Sequence, residues 1–249
     1  MISMLDGLAM KIAYVVTRSD EVGGAHIHVR DLCIWLLSLK YEVRVFVGGR
    51  GPFTDLLNDA KVPYTCLNYL KRPISPLNDL AAIRELATKL SEFCPDIVSA
   101  HSAKAGIIAR LACKIKGFPC IFTAHGWSFA GGVRWPSRLI FRTLEKSLAP
   151  LSKYIITVCE NDRALALEQG IASPSRIRTI HNGMPHVATS KVHKDGRKND
   201  SLTLIMVARF EEQKDHLTLI EALCSLKDLK WNLKLVGDGP LVPKVKSLV

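Results

Sequence analysis

The sequence predicts a doubly wound α/β protein. Three observations carry that expectation. Short β-rich runs recur along the whole chain of 249 residues, and amphipathic segments separate most of them. The β-rich runs are almost continuously apolar rather than alternating, as in strands buried on both faces of a parallel sheet.

Taken in order, the expected strands are KIAYVV (11–16), EVRVFV (42–47), YTCL (64–67), DIVSA (96–100), CIFTA (120–124), YIITV (154–158) and IRTI (177–180). The first helix is expected over 25–40, with Ile27, Leu32, Trp35, Leu36 and Leu39 near helical spacing on its buried face. A second spans 76–93, opened by Ser75 as N-cap and Pro76 at the first helical position. A third spans 105–117 and closes on Gly117. Glu160, Asn161 and Asp162 follow a strand and are read as the cap of the next helix. VATSKVHKDGRKND (187–200) is polar, basic and aperiodic, so it reads as a linker. The β-α-β pattern then restarts with LTLIMVA (202–208), a helix through 215–226, NLKLVG (232–237) and the opening of another helix. The expected organisation is a leader at 1–10 without fixed structure, a complete first domain at 11–186, the linker, and the opening part of a second domain at 201–249.

Composition narrows the function classes. At 48% hydrophobic and 23% charged residues, the chain resembles a globular protein rather than a disordered one. The longest apolar runs fall far short of the ~20 residues that a membrane span needs. The first ten residues carry no Lys or Arg, so the positive start of a secretory signal is missing. Seven cysteines without a CxxC pair suit a reducing cytoplasm. The net charge of +11 is spread out, with no arginine-rich block, which argues against nucleic acid. An anionic membrane surface or a phosphorylated ligand suits it as well or better.

In open α/β sheets, ligands bind beyond the carboxyl ends of the strands. The unusual residues of this chain collect there: TRSDEVGGAH, HSAKAG, HGWSFAGG, CEND, HNGM, RFEEQKD and GDGP each follow a strand. Gly23 and Gly24, opening a helix, suit an anion or simply a tight turn; they do not form the GxGxxG fingerprint of a dinucleotide site. Arg209 and Lys214 either clamp a diphosphate or pair with Glu211, Glu212 and Asp215 in a solvated loop. His125 either meets a hydroxylated substrate or is satisfied by backbone, and His101 has the same two readings. Trp127, Phe129 and Trp135 form a sugar platform or pack in the core. His26 and His28 stand at i and i+2 of a helix and point apart, so they do not make a metal site.

The ordered set of these segments, over residues 11–249, resembles glycosyltransferase family 4 of the GT-B fold. The segments that carry the likeness are KIAYVVTRSDEVGGAHIHVRDLCIWL, PDIVSAHSAKAGIIARLA, CIFTAHGWSF, IRTIHNGM, LIMVARFEEQKDHLTLIEAL and LKLVGDGPL. AHGWSF is most similar to bacterial enzymes that build surface polysaccharides on lipid-linked acceptors.

The resemblance implies two Rossmann-like domains and retaining transfer of a sugar from a nucleotide-diphospho-sugar to a glycan or polyprenyl-linked acceptor. No cofactor or divalent metal is implied. Arg209, Lys214 and Gly24 would hold the donor diphosphate, with Gly23, Gly237 and Gly239 in the same donor loops. His125 would contact the transferred sugar. Arg18, His101, Gly126, Trp127 and Asn182 are the acceptor-side candidates. Family members also carry a pair of glutamates well beyond the Arg/Lys motif. Val249 lies 35 residues beyond Lys214 and the pair is not reached, so the resemblance implies an incomplete copy of doubtful activity. The alternatives are a non-catalytic acceptor- or lipid-binding short form, or a nucleotide-sugar epimerase, which would need acidic catalytic residues that the sequence does not offer. A cytoplasmic location, peripheral on the inner face of the cell membrane, fits the charge.

Overall fold

A computed structural model describes residues 10–130, 135–185, 201–226 and 228–248. The expected leader and the 187–200 linker lie outside the described residues, apart from Met10. The chain divides into two compact units, Met1–His186 and Val187–Val249.

The first unit is a seven-stranded, wholly parallel sheet in the order β3-β2-β1-β4-β5-β6-β7. Its strands are β1 (Lys11–Val16), β2 (Glu42–Gly48), β3 (Tyr64–Leu67), β4 (Ile97–His101), β5 (Cys120–Ala124), β6 (Tyr154–Thr157) and β7 (Ile177–Thr179). Between them run α1 (Gly24–Ser38), α2 (Pro52–Asp59), α3 (Pro76–Phe93), α4 (Ala103–Lys116), α5 (Trp135–Leu148) and α6 (Glu160–Glu168). Successive strand residues point to opposite faces, and β1 shows the consequence. Its Ile12, Tyr14 and Val16 pack with Val29, Cys33 and Leu36 of α1 and with Phe53 and Leu57 of α2. Its Ala13 and Val15 join the other core, with Leu86 and Leu90 of α3, Ile108 and Ala109 of α4, and Ala166 of α6. Strand order reverses between β1 and β4, which places the ligand crevice of such a sheet at their carboxyl ends.

The face of α1 departs from expectation. Of the residues expected inside, only Leu36 is buried; Trp35 is 57% exposed and Leu39 is exposed as well. His26, Val29, Cys33 and Leu36 face the sheet instead. The helix is apolar almost all round, so periodicity alone does not choose its register. The structure turns Val29, Cys33 and Leu36 against the sheet and leaves Ile34, Trp35 and Leu39 exposed. Ser75 does occupy the N-cap of α3, but its hydroxyl caps nothing; Asp79 Oδ2 accepts the Ser75 N–H at 3.3 Å. Glu160 and Asp162 lie in the first turn of α6, where carboxylates favour the positive helix end.

A buried ion pair ties α5 to α4. Arg110 Nη2 lies 2.8 Å from Glu145 Oε2, with side-chain exposures of 0% and 5%. The Arg110 Nε–H donates to Gly106 O at 2.8 Å, and the guanidinium covers the Phe122 ring at 4.4 Å.

In the second unit, β8 (Leu202–Val207) and β9 (Trp231–Val236) pair in parallel. Helices α7 (His216–Cys224) and α8 (Val242–Lys246) cover one face around Phe210, Ile220 and Val245. Ile205, Val207 and Val236 on the strands are exposed.

Candidate functional site

The residues after β1 are held by a histidine. Gly23 donates its N–H to His26 Nδ1 at 3.1 Å, so Nδ1 is bare and Nε2 carries the proton. Nε2–H then donates to Arg18 O at 2.9 Å. This corrects the donor-side reading of Gly23, whose N–H is spent inside the loop. Gly24 is exposed, and a Cβ added to it would meet nothing within 4 Å, so packing does not demand glycine there. Arg18 is tied to Asp20, Nη2 to Oδ2 at 2.6 Å, and to Glu21 at 2.9 Å. Thr17 Oγ1 accepts the Ala105 N–H at 3.0 Å and lies 2.6 Å from Ser102 Oγ, joining the end of β1 to the start of α4. Ser102 itself sits at φ +77, a strained conformation for a residue with a Cβ.

Three imidazoles gather at the carboxyl ends of the central strands. His101 ends β4, His125 follows β5 directly, and His28 reaches across from the second turn of α1. Ring centroids are 5.3 Å apart for His101 and His125, 5.6 Å for His28 and His125, and 5.9 Å for His28 and His101. His101 Nδ1 bonds His125 Nε2 at 2.9 Å, and His101 Nε2 bonds Ser99 Oγ at 3.0 Å. His101 is 1% exposed, and both its ring nitrogens are bonded within the protein. Burial first, then the neighbouring His125 and His28, hold its pKa well below the ordinary value. His125 is pushed down to about 4 by burial, and further by His28 and His26. Burial lowers His28 too, against the opposing pull of Asp31. At neutral pH all three are uncharged.

Trp127 packs inward. It is 5% exposed, stacks on Phe129 at 5.0 Å and donates its indole N–H to Asp162 O at 2.8 Å. It is a core residue that pins the loop after β5 to α6. Trp135 is exposed at the start of α5. Gly126 and Asn182 are exposed, Gly126 at φ +112 in the turn beside His125. An apolar cavity of about 500 Å³ runs from His28 past Leu32 and Trp35 to Met184 and Pro185.

In the second unit, Arg209 and Lys214 are both exposed in the loop between β8 and α7. Arg209 pairs with Glu211 at 3.1 Å, and Asp215 Oδ1 accepts the Thr218 N–H as the cap of α7. Gly237 and Gly239 brace that loop. Gly237 stands at φ +148, and a Cβ there would lie 2.0 Å from Ala208 O; at Gly239 it would lie 2.6 Å from Phe210 O. Phe210 N–H donates to Asp238 O, and Leu241 N–H to Phe210 O. These contacts account for both glycines without a ligand, and their bearing on the site runs through the Arg209 loop. Among the described residues, no group of three or more His, Cys, Asp or Glu is arranged to hold a metal ion, and no helix is long and apolar enough to cross a membrane.

Ser99 and Thr17 were missed by sequence reasoning, and His28 was weighed only as a metal ligand. Ser99 and His101 stand two apart on one strand, so period-two alternation puts them on one face, and that signal was available. Nothing local in the sequence pairs His28 with His125.

Residues 23–183 match the glycosyl transferase 4-like domain family, and the chain belongs to it. With its parallel sheet and second β-α-β unit, it has the fold of GT-B glycosyltransferases. Among its relatives, the UDP-Gal:alpha-D-GlcNAc-diphosphoundecaprenol alpha-1,3-galactosyltransferase of Escherichia coli is 28% identical over 256 residues, covering 95% of this chain and 64% of the relative. The O-antigen biosynthesis glycosyltransferase WbnH of Escherichia coli is 27% identical over 238 residues, covering 95% and 65%. The chain thus spans a little under two thirds of the length of these relatives. Among solved structures, a glycosyltransferase from Rickettsia africae superposes with a TM-score of 0.74 at 20% identity, covering 96% of this chain and 63% of the other. Anabaena HepE in complex with UDP and glucose gives 0.72 at 20%, covering 96% and 64%.

Proposed function

We propose that the chain is the acceptor-side domain and part of the donor-side domain of a retaining glycosyltransferase in bacterial surface-polysaccharide synthesis. The observation that carries this reading is membership of the glycosyl transferase 4-like family across the whole imidazole site, from Gly23 to Gly183. The names of its relatives support a nucleotide-diphospho-sugar donor and a polyprenyl-diphosphate-linked acceptor. Arg209 and Lys214 neutralise the donor diphosphate as the glycosidic bond breaks, Arg by its fork and Lys as a point charge, with Gly24 N–H as a further donor. His125 meets the transferred sugar, and no metal takes part. The net charge of +11 favours an anionic inner membrane face.

Titration calorimetry with UDP, UDP-galactose and UDP-glucose tests the donor side: binding that Arg209→Ala and Lys214→Ala each weaken at least tenfold (about 1.4 kcal/mol) is expected. Transfer to a synthetic polyprenyl-diphospho-N-acetylglucosamine should give the α-anomer. A β-linked product overturns retention, and epimerised nucleotide-sugar released without acceptor overturns transfer itself.

A further inference from the structure

We infer that Ser99 and His101 are positioning residues that lock His125 as its Nδ1–H tautomer, presenting a neutral hydrogen-bond donor to an oxygen of the bound sugar nucleotide. The inference deepens the proposed function and rests on it for the identity of that ligand.

Three groups stand in line: Ser99 Oγ, 3.0 Å from His101 Nε2, then His101 Nδ1, 2.9 Å from His125 Nε2. A neutral imidazole has one N–H and one bare nitrogen, so fixing one bond fixes the next. If the Ser99 hydroxyl donates to Nε2, His101 carries its proton on Nδ1 and donates it to His125 Nε2. His125 must then hold its own proton on Nδ1. The reverse order makes Ser99 Oγ the acceptor of Nε2–H and turns His125 Nδ1 into a bare acceptor. A bare imidazole nitrogen is a stronger acceptor than a hydroxyl oxygen, so we assign the order in which Ser99 donates.

The free end of the line faces solvent. His125 is half-buried, and its Nδ1 has no partner among the described residues, yet it is not among the enclosed polar atoms left without one. His101, enclosed at 1% exposure, cannot touch a ligand and acts only through His125. Three imidazoles at 5.3–5.9 Å discourage one another's protonation, so His125 donates by tautomer and not by charge. Tyr14 lies beside His101 at 5.6 Å and closes the site from β1.

Long-range proton–nitrogen NMR on the histidine-labelled chain at pH 7.5 reads each tautomer directly, with His101→Gln and His125→Gln assigning the signals. Both rings should be predominantly protonated on Nδ1, the minority form of free histidine in water. Ser99→Ala should shift the His125 tautomer ratio about fivefold toward Nε2–H, equivalent to about 1 kcal/mol. Ser99→Thr, which keeps the hydroxyl on a β-branched strand residue, should restore it. A structural role alone would not move the ratio in one and rescue it in the other. His125 protonated on Nε2 in the wild type, or a ratio indifferent to Ser99→Ala, overturns the inference. Adding UDP-galactose separates the two claims: the locked tautomer with a His125 signal that no sugar nucleotide perturbs overturns the ligand reading and leaves the lock standing.

Discussion

Mild acid should destabilise the first unit through its histidines, and the loss follows from the site. His125 takes a proton near pH 4 in the fold but near 6.5 in the unfolded chain. Its folded pKa is depressed, so its contribution is complete above 6.5 and disappears as the pH falls, because the unfolded chain binds a proton that the fold refuses. Between pH 7 and pH 5 one such imidazole removes about 1.8 kcal/mol. His101, fully enclosed and held well below its ordinary value by burial and by its two neighbours, contributes in the same direction. His28 acts in the same direction, with burial partly offset by Asp31. Urea unfolding followed by circular dichroism at pH 7, 6 and 5 measures the sum. With a urea slope of ~2 kcal/mol/M, the His125 share alone should lower the midpoint by about 0.9 M across that range. His125→Gln should remove that share, since glutamine does not titrate. A wild-type loss below ~1 kcal/mol, or an undiminished loss in the variant, would refute the claim that these rings are buried as neutral groups.

Three further outcomes are expected. Glu145→Gln leaves the Arg110 guanidinium enclosed without its counter-charge and should cost about 3 kcal/mol in urea unfolding, whereas Arg110→Met with Glu145→Leu should come out near neutral. Burial holds the Glu145 carboxyl above its ordinary range despite Arg110, which agrees with a pair that contributes little net stability. Trp127→Ala should destabilise the first unit by about 3–5 kcal/mol, as a core residue does; an unchanged unfolding midpoint with lost sugar binding would return Trp127 to the ligand side. Gly237→Ala forces a Cβ against Ala208 O and should weaken UDP binding about tenfold by displacing the Arg209 loop, measured by calorimetry.

The parallel sheet was legible because buried strands such as CIFTA and KIAYVV are apolar over most of their length, as strands covered on both faces are. The position of the site was legible too, since polar residues crowded the strand ends. The roles of individual side chains were not. His101 and His125 look alike in sequence, each at the end of a strand, yet one is enclosed among Tyr14, His28 and His125 while the other is only half-buried. Trp127 could serve a sugar or a core equally well by composition, and only the Phe129 and Asp162 contacts decide. Gly237 and Gly239 resembled a ligand loop, but a backbone oxygen 2.0 Å from the missing Cβ explains the first without any ligand. His28 was set aside because His26 points away from it, which is true, and irrelevant to its packing against β4 and β5.

The two units offer a ligand different chemistry. Arg209 and Lys214 are exposed cations whose attraction for phosphate is long-ranged and weakened by salt. The imidazole line is neutral, half-enclosed and directional, and its contribution depends on geometry. A charged His125 would serve poorly in its place. It would be costly beside two other rings and would bind any anion without regard to where its hydroxyls lie. A fixed N–H discriminates by position, because a ligand without an oxygen opposite it leaves the donor unpaired at a cost of about 1–3 kcal/mol. Salt should therefore separate the two contributions. Under the proposed function, raising ionic strength should erode whatever affinity Arg209 and Lys214 supply and leave any sugar preference contributed by His125 nearly unchanged. A sugar preference that falls in step with overall affinity as salt rises would place discrimination with the cations and remove the reason for building a neutral donor at all.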